Sequence, residues 1–265
     1  MSRSLGVILG ISLLLGLGYA ALMPLGAAPD EGAHLQYVRV VAYEARLPQL
    51  KLEQRRQSHA DPDYESHQAP LYYVLAVPFF RVGEMVAGEA GAGQACRLLS
   101  LLFGLVGTAL IWRLARDVLP ACPEAALAAA ALAGFLPMRL YLMASVSNDT
   151  LAEAASSLAL WCMVRAVQAE WGWKPALRLG ISLGVALLAK QNTFLLFPPA
   201  LVAVYLAARR GSRAAPAAPE NGYPLLYFLG TGGITLGTAL LLSGWWFFRN
   251  HVLYGDPLGL RVFNW

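Results

Sequence analysis

The stretch ALRLGISLGVALLAKQNTFLLFPPALVAVYLAA, residues 176–208, decides the fold of this chain, because three polar residues interrupt a largely apolar run. A membrane-spanning helix needs about 20 residues, so a single helix would be too long and would bury Lys190 near its centre. The halves Ala176–Ala189 and Thr193–Ala208 are each about 15 residues long, short for a full span. We therefore predict a helical hairpin that turns at Lys190-Gln191-Asn192. Interrupted apolar segments of this kind tend to line a site and not lipid.

The whole chain has the composition of a membrane protein, with 57% hydrophobic and 14% charged residues and a mean hydropathy of +0.51. A soluble domain carries roughly 25% charged residues, so an ordinary soluble protein is excluded. The net charge is only +4 and no basic tract is present, so we expect no nucleic-acid partner. Cys96, Cys122 and Cys162 show no metal-type spacing, and we expect no disulfide framework.

The predicted fold class is all-α, a polytopic transmembrane helical bundle that forms a single module over residues 1–265. Leu71–Val86 is broken by Pro78 and carries two charges, so we predict that it lies in the membrane interface, within a first outer loop at residues 24–96. The predicted spans, about seven in number, are Leu5–Met23, Leu98–Leu114, Ala125–Ala144, Leu151–Val167, Ala176–Ala189, Thr193–Ala208 and Tyr223–Phe248.

This topology follows the positive-inside rule, because the short basic loops then lie on the inner side together with the N-terminus. Residues 209–222, rich in Ala, Pro and Gly, form a flexible inner loop. If Leu71–Val86 spans the membrane instead, Arg113 and Arg116 move outside. A cleaved signal peptide is the alternative for the first segment, because small residues follow it at 26–28.

Four polar clusters share the outer face in this topology: residues 30–34, 145–150, 190–192 and 249–256. In the first cluster Asp30, Glu31 and His34 have the spacing of one helix face, at the start of a predicted helix Asp30–Leu47. Such a carboxylate would deprotonate an alcohol acceptor or bind a cation, and the imidazole would bind a metal or a phosphate. The alternative is an ordinary helix N-terminus, where acidic residues are favourable.

Further candidate binding residues come from the other polar segments. His67 could bind a phosphate or a metal, or belong to a polar loop that leads into the aromatic segment after Pro70. Asp149 could contribute to the site or simply cap the following helix. Arg139, Lys190 and Arg249 lie near membrane ends, where they would bind a lipid phosphate or extend towards the interface.

The chain resembles the GT-C glycosyltransferases, in particular the branch of the protein O-mannosyltransferases and the lipid A aminoarabinose transferases. The Pro29-Asp30-Glu31-x-x-His34 form also resembles a related group of bacterial membrane proteins. The motifs that carry the resemblance occur in the same order over nearly the whole chain. They are Asp30-Glu31 after a first span, Gln68-Ala69-Pro70-Leu71-Tyr72-Tyr73, Arg97 at the start of the next span, Asn148-Asp149, and the pair of helices broken at Lys190.

The resemblance implies a polyprenyl-phosphate-sugar donor and an inverting transfer at the outer leaflet, with Asp30 as the base and Glu31 as its support or as a cation ligand. The donor phosphate would lie among Arg139, Lys190 and Arg249. A divalent metal is left open, with Asp30, Glu31 and His34 as its candidate ligands. Members of this family are usually longer, so a protein partner that completes the module is also expected.

Two non-glycosyltransferase functions remain as alternatives. One is a scaffold subunit, derived from the GT-C fold, in a larger membrane complex. The other is a lipid or ion transporter, which is less favoured because transporters place their polar residues near the bilayer midplane. In the preferred interpretation the chain is a multi-pass protein of the plasma (inner) membrane, in contact with membrane lipids, and its active face lies outside the cytoplasm.

Overall fold

The computed structural model describes residues 3–50, 64–168, 172–214 and 223–258, and every regular element in these ranges is a helix. The all-α class predicted from the sequence is therefore confirmed. Two short 3-10 helices, Tyr64–His67 and Gln191–Leu196, interrupt the α-helices. The α-helices are α1 (Arg3–Leu22), α2 (Glu31–Glu44), α3 (Leu71–Val118), α4 (Pro123–Phe135), α5 (Pro137–Met143), α6 (Asp149–Gln168), α7 (Trp173–Ala189), α8 (Phe197–Ala214) and α9 (Tyr223–Tyr254).

The helices form a multi-pass membrane bundle. Five helical segments within the described ranges are long and apolar enough to cross a membrane, and the pair α4 and α5, bent by 63°, would make a sixth span. Helix α7 has only 17 residues, short of the about 20 that a full span needs. The predicted count of seven spans therefore stays a prediction, whereas the polytopic architecture is established.

Helix α3 is a folded-back pair and not one continuous rod. Its helical geometry breaks at Ala87 and Gly88, where Gly88 has a φ of 63° that favours glycine. The hydroxyl groups of Tyr72 and Ser100 lie 2.6 Å apart, whereas a straight helix would separate these residues by about 42 Å. The arm at 71–86, predicted to lie in the membrane interface, thus packs antiparallel to the start of the arm at 89–118.

The hairpin predicted for residues 176–208 is present. Helix α7 ends at Ala189, Lys190 is extended, and α8 follows after one 3-10 helix. At one end of α6 the carbonyl of Ala189 accepts a hydrogen bond from Asn148, and at its other end Arg210 donates to the carbonyl of Val167. The two arms therefore run in opposite directions beside α6. We call the end of the bundle that contains Asn148 and Lys190 the site end.

Helix α9 runs parallel to α7, and two glycines of α7 allow a close approach. Gly180 faces the backbone of Thr235, and Gly184 faces Leu242, with no room for a Cβ atom at Gly180. Continuing this register by the common rise per residue places Lys190 level with Trp246 at the site end.

Of the predicted inner loop, residues 215–222 lie outside the described residues, as do residues 51–63 of the first outer loop.

Candidate active site

The site begins where α2 begins, at Asp30 and Glu31. Asp30 is exposed and occupies the N-cap position with a φ of 58°, a left-handed conformation that aspartate tolerates better than most residues. Glu31, the next residue, is only 1% exposed. The left-handed turn therefore separates two adjacent carboxylates, leaving Asp30 at the surface and directing Glu31 into the bundle.

Glu31 forms a buried ion pair with Arg97. Its two oxygens accept hydrogen bonds of 2.7 Å from Nε and Nη2 of Arg97, and they also accept the backbone N–H groups of Gly26 and Val146 at 2.7 and 2.9 Å. The remaining donors of Arg97 bind carbonyl groups at the end of α1 and just after it, at Ala20, Met23 and Pro24. Glu31 thus joins four segments of the chain, and both of its carboxylate oxygens are paired.

His34 lies one turn further along α2, where it is buried and uncharged. Its Nδ1 is 2.8 Å from the hydroxyl of Tyr73, whose ring stacks on Tyr37 with centroids 3.8 Å apart. Burial lowers the pKa of His34 to about 3, with nearby Asp149 acting in the opposite direction and Lys190 adding to the fall. At neutral pH the imidazole is therefore a neutral hydrogen-bonding group and not a cation.

Glu65 is a further carboxylate at the site, and the sequence analysis did not select it. It lies in the 3-10 helix Tyr64–His67, is 4% exposed, and one of its oxygens has no hydrogen-bond partner among the described residues. Burial raises its pKa to about 7, a hydrogen bond with Gln68 lowers it, and the charge of Asp30 raises it further. Its place two residues before His67 was the only signal in the sequence.

Asp149 and Lys190 meet at the centre of the site end. The ammonium of Lys190 contacts Oδ1 of Asp149, whose other oxygen accepts a 3.1 Å hydrogen bond from Ser147. Asp149 is also the first residue of α6, so it starts a helix and pairs with the hairpin tip at the same time. Together with His34, His67 and Glu65 these groups lie close enough to act on one another electrostatically.

The three predicted phosphate-binding cations do not form one group. Arg139 is held deeper in the bundle, where it donates to both oxygens of Glu153 at 2.9 Å and to the carbonyl of Gly104 at 2.8 Å. The bend between α4 and α5 turns its side chain inward, and Glu153 was not recognised as its partner from the sequence. Arg249 lies at the end of α9, donates to the carbonyl of Pro48 at 2.7 Å and covers the ring of Trp246.

The candidate metal ligands Asp30, Glu31 and His34 do not converge. In the part of the chain that the structure describes, no group of three or more His, Cys, Asp or Glu side chains could hold a metal ion. Both oxygens of Glu31 are occupied by Arg97 and backbone amides, and Nδ1 of His34 is bound to Tyr73. These residues do not fit a metal in this arrangement, and we derive no step through one.

Comparisons with known proteins bear on this bundle and its polar end. No curated protein matches the chain. Among solved structures, the Archaeoglobus fulgidus oligosaccharyltransferase, in a complex with Zn and sulfate, has a similar fold, with a TM-score of 0.55 and 13% sequence identity. The match covers 97% of this chain and 38% of that chain, so this chain spans 38% of the length of that relative.

A family model described as dolichyl-phosphate-mannose-protein mannosyltransferase matches residues 74–219, which is more than half of the chain. The matched range begins in the folded-back arm of α3 and includes Arg97, Asn148-Asp149 and the hairpin with Lys190 at its tip. The chain therefore belongs to the dolichyl-phosphate-mannose-protein mannosyltransferase family of GT-C membrane glycosyltransferases.

Proposed function

We propose that this chain transfers a sugar from a polyprenyl-phosphate donor to an acceptor hydroxyl, with inversion at the anomeric carbon, at the outer face of the membrane. The observation that carries the proposal is the gathering of Asp30, Glu65, His34, Asp149 and Lys190 at one end of the bundle. These residues come from four separate segments. Titratable groups with perturbed pKa values cluster at functional sites, which favours an enzyme over a scaffold subunit.

Asp30 acts as the general base. Its carboxylate takes the proton of the acceptor hydroxyl while the acceptor oxygen forms a bond to the anomeric carbon. The bond from that carbon to the phosphate oxygen breaks on the opposite face, and the phosphate leaves with the electron pair. Among the acidic residues of the site, Asp30 suits this role because it is exposed, whereas Glu31 is fully engaged with Arg97.

The leaving phosphate is held by Lys190 and Arg249. An ammonium carries three hydrogens, and the contact with Asp149 uses one of them, so Lys190 can bind a phosphate oxygen without losing that partner. Arg249 has one guanidinium nitrogen, Nη1, without a hydrogen-bond partner among the described residues. We do not include Arg139, because Glu153 and backbone carbonyls already occupy its guanidinium.

The surrounding groups set the electrostatics of the reaction. Neutral His34 adds no positive charge to the site, and Asp149 limits the net charge of the cation pocket around Lys190. Burial raises the pKa of Glu65 to about 7, so at neutral pH its carboxyl group is protonated in part of the molecules and then adds no negative charge beside Asp30. The polyprenyl tail would lie in lipid, as expected for a plasma-membrane enzyme whose active face lies outside the cytoplasm.

Transfer from labelled lipid-linked sugars by the purified chain tests the proposal, alone and with any copurifying partner. The wild-type chain should form product of inverted anomeric configuration, and Asp30→Asn should lower turnover by roughly 10²–10⁴-fold with donor binding largely intact. The amide keeps the shape of the side chain, so the melting temperature should change little. Equal transfer by the two chains would refute the base assignment. No transfer by the wild type, even with partners, would favour the scaffold subunit.

A further inference from the structure

The last turns of α9 bury polar atoms that have no hydrogen-bond partner among the described residues. Trp246, Arg249 and Asn250 are spaced by three and four residues, so they share one face of the helix at the site end. Trp246 and Asn250 are 0% exposed. Within the described residues, Nε1 of Trp246, Nη1 of Arg249 and both amide atoms of Asn250 lack hydrogen bonds. Buried polar groups of native proteins are nearly always paired, so we expect a bound ligand to supply hydrogen-bond partners for this face of the helix.

The lack of partners is confined to the site end. Further down α9 the hydroxyl groups of Thr231 and Ser243 donate to carbonyls of their own helix at 2.7 and 2.8 Å, and Thr235 does so at 2.9 Å. The helix therefore satisfies its buried polar side chains where it packs in the bundle. Within the part of the chain that the structure describes, the polar side chains of α9 that lack partners lie in the turns level with Lys190.

A second element contributes at the same level. Gln191 directly follows Lys190 at the hairpin tip, and its Oε1 is buried without a partner among the described residues. The parallel register of α7 and α9 places this tip level with the end of α9. The unpaired atoms thus lie at the same level of the bundle as Lys190, which we assign to the donor phosphate.

The kinds of atom present indicate the kind of ligand. Nε1 of Trp246 and Nη1 of Arg249 are donors, whereas Oε1 of Gln191 is an acceptor, and Asn250 offers one of each whichever way its amide is turned. A phosphate provides acceptors only and cannot satisfy amide oxygens. A group that carries several hydroxyls both donates and accepts, so it can satisfy the whole set.

We propose that Trp246 and Asn250, with Gln191, form the subsite that binds the hydroxyl groups of the donor's sugar, beside the phosphate held by Arg249. This proposal rests on the proposed function. In the ligand-free chain Arg249 donates to the carbonyl of Pro48 and covers the indole of Trp246. A charge-assisted bond to phosphate is stronger than one to a neutral carbonyl. The unpaired Nη1 of Arg249 therefore binds the donor phosphate, which places the sugar beside Trp246 and Asn250.

Binding of paired lipids to the purified full chain tests this subsite. The probes are polyprenyl phosphate, polyprenyl-phosphate mannose and polyprenyl-phosphate glucose, all with the same lipid chain. The wild type should bind at least one glycosylated lipid more tightly than the bare phosphate. Asn250→Leu should lose roughly tenfold in affinity for that glycosylated lipid, because two hydrogen bonds disappear, and keep its affinity for the bare phosphate.

A stability measurement separates this role from a structural one. Asn250→Leu removes two unpaired buried polar atoms, so the ligand-free melting temperature should stay equal or rise. If the variant does not fold, Asn250 has a structural role and the proposal for that residue fails; Trp246→Phe, which removes only the indole N–H, then tests the subsite independently. Ser243→Ala is the matched control on the same helix face, since its hydroxyl bonds within α9, and it should bind every lipid as the wild type does.

The outcomes distinguish the two proposals. If the wild type binds all three lipids equally, and the variants behave alike, the sugar subsite is wrong and the phosphate site stands. If the wild type binds none of them, both proposals are overturned. If it discriminates between the lipids through Asn250 but never transfers sugar, the subsite stands and the enzymatic function fails.

Discussion

The buried ion pair between Glu31 and Arg97 allows a prediction of stability from the structure. Glu31→Gln keeps the shape of the side chain and removes its charge. In the native chain the carboxylate accepts two hydrogen bonds from Arg97 and two from backbone amides. An amide group replaces one of these acceptor oxygens with a donor, which then faces another donor. The guanidinium of Arg97, 0% exposed, also loses its counter-charge.

Removing one partner of a buried pair costs about 3–5 kcal/mol, because an uncompensated charge stays behind. Arg97 still has three carbonyl partners, so we expect the lower part of this range. The free energy of unfolding is measured by denaturant titration of the purified chain in detergent micelles.

An exposed pair provides the control for this measurement. Glu89 pairs with Arg39, and their side chains are 72% and 37% exposed. Exposed pairs contribute about 0–1 kcal/mol, so Glu89→Gln should change little. If Glu31→Gln costs less than about 1 kcal/mol, or no more than Glu89→Gln, the argument from burial is refuted.

Three further predictions address pH, topology and phosphate binding. Because the pKa of Glu65 is raised to about 7, its contribution to stability is largest below its ordinary pKa of 4.5 and is lost as the pH rises towards 7. The wild type should therefore lose stability relative to Glu65→Gln over this pH window. A constant difference between the two melting temperatures from pH 4.5 to 7 would contradict this prediction. A cysteine at Ser212 in a cysteine-free chain should resist an impermeant reagent added outside intact cells, and labelling there would refute the hairpin topology. Lys190→Gln should weaken the binding of polyprenyl phosphate roughly tenfold or more. Arg139→Gln should lower stability and leave this binding unchanged, because Glu153 occupies the guanidinium of Arg139. Equal losses of binding in the two variants would show that Arg139 also binds the phosphate.

The sequence by itself determined the all-helical membrane architecture and the place where the hairpin turns. A membrane-spanning segment must satisfy its own backbone hydrogen bonds, so a long apolar run is a helix whatever surrounds it. A lysine within residues 176–208 cannot remain at the centre of the bilayer without a partner, and the chain turns there. The motifs of the family, such as Asp30-Glu31 and Asn148-Asp149, are likewise local and could be recognised without the fold.

The tertiary structure alone decided which charged groups pair and which remain at the site. Glu31 and Arg97 are 66 residues apart, and Arg139 reaches Glu153 only because α5 bends away from α4. The fold-back at Gly88 was also not predicted, since the preceding segment has the composition of an interfacial helix. The physical reason is common to these cases. Helix formation depends on neighbours along the chain, whereas the partner of a buried charge depends on the few ångströms between packed helices, which no local pattern of residues specifies.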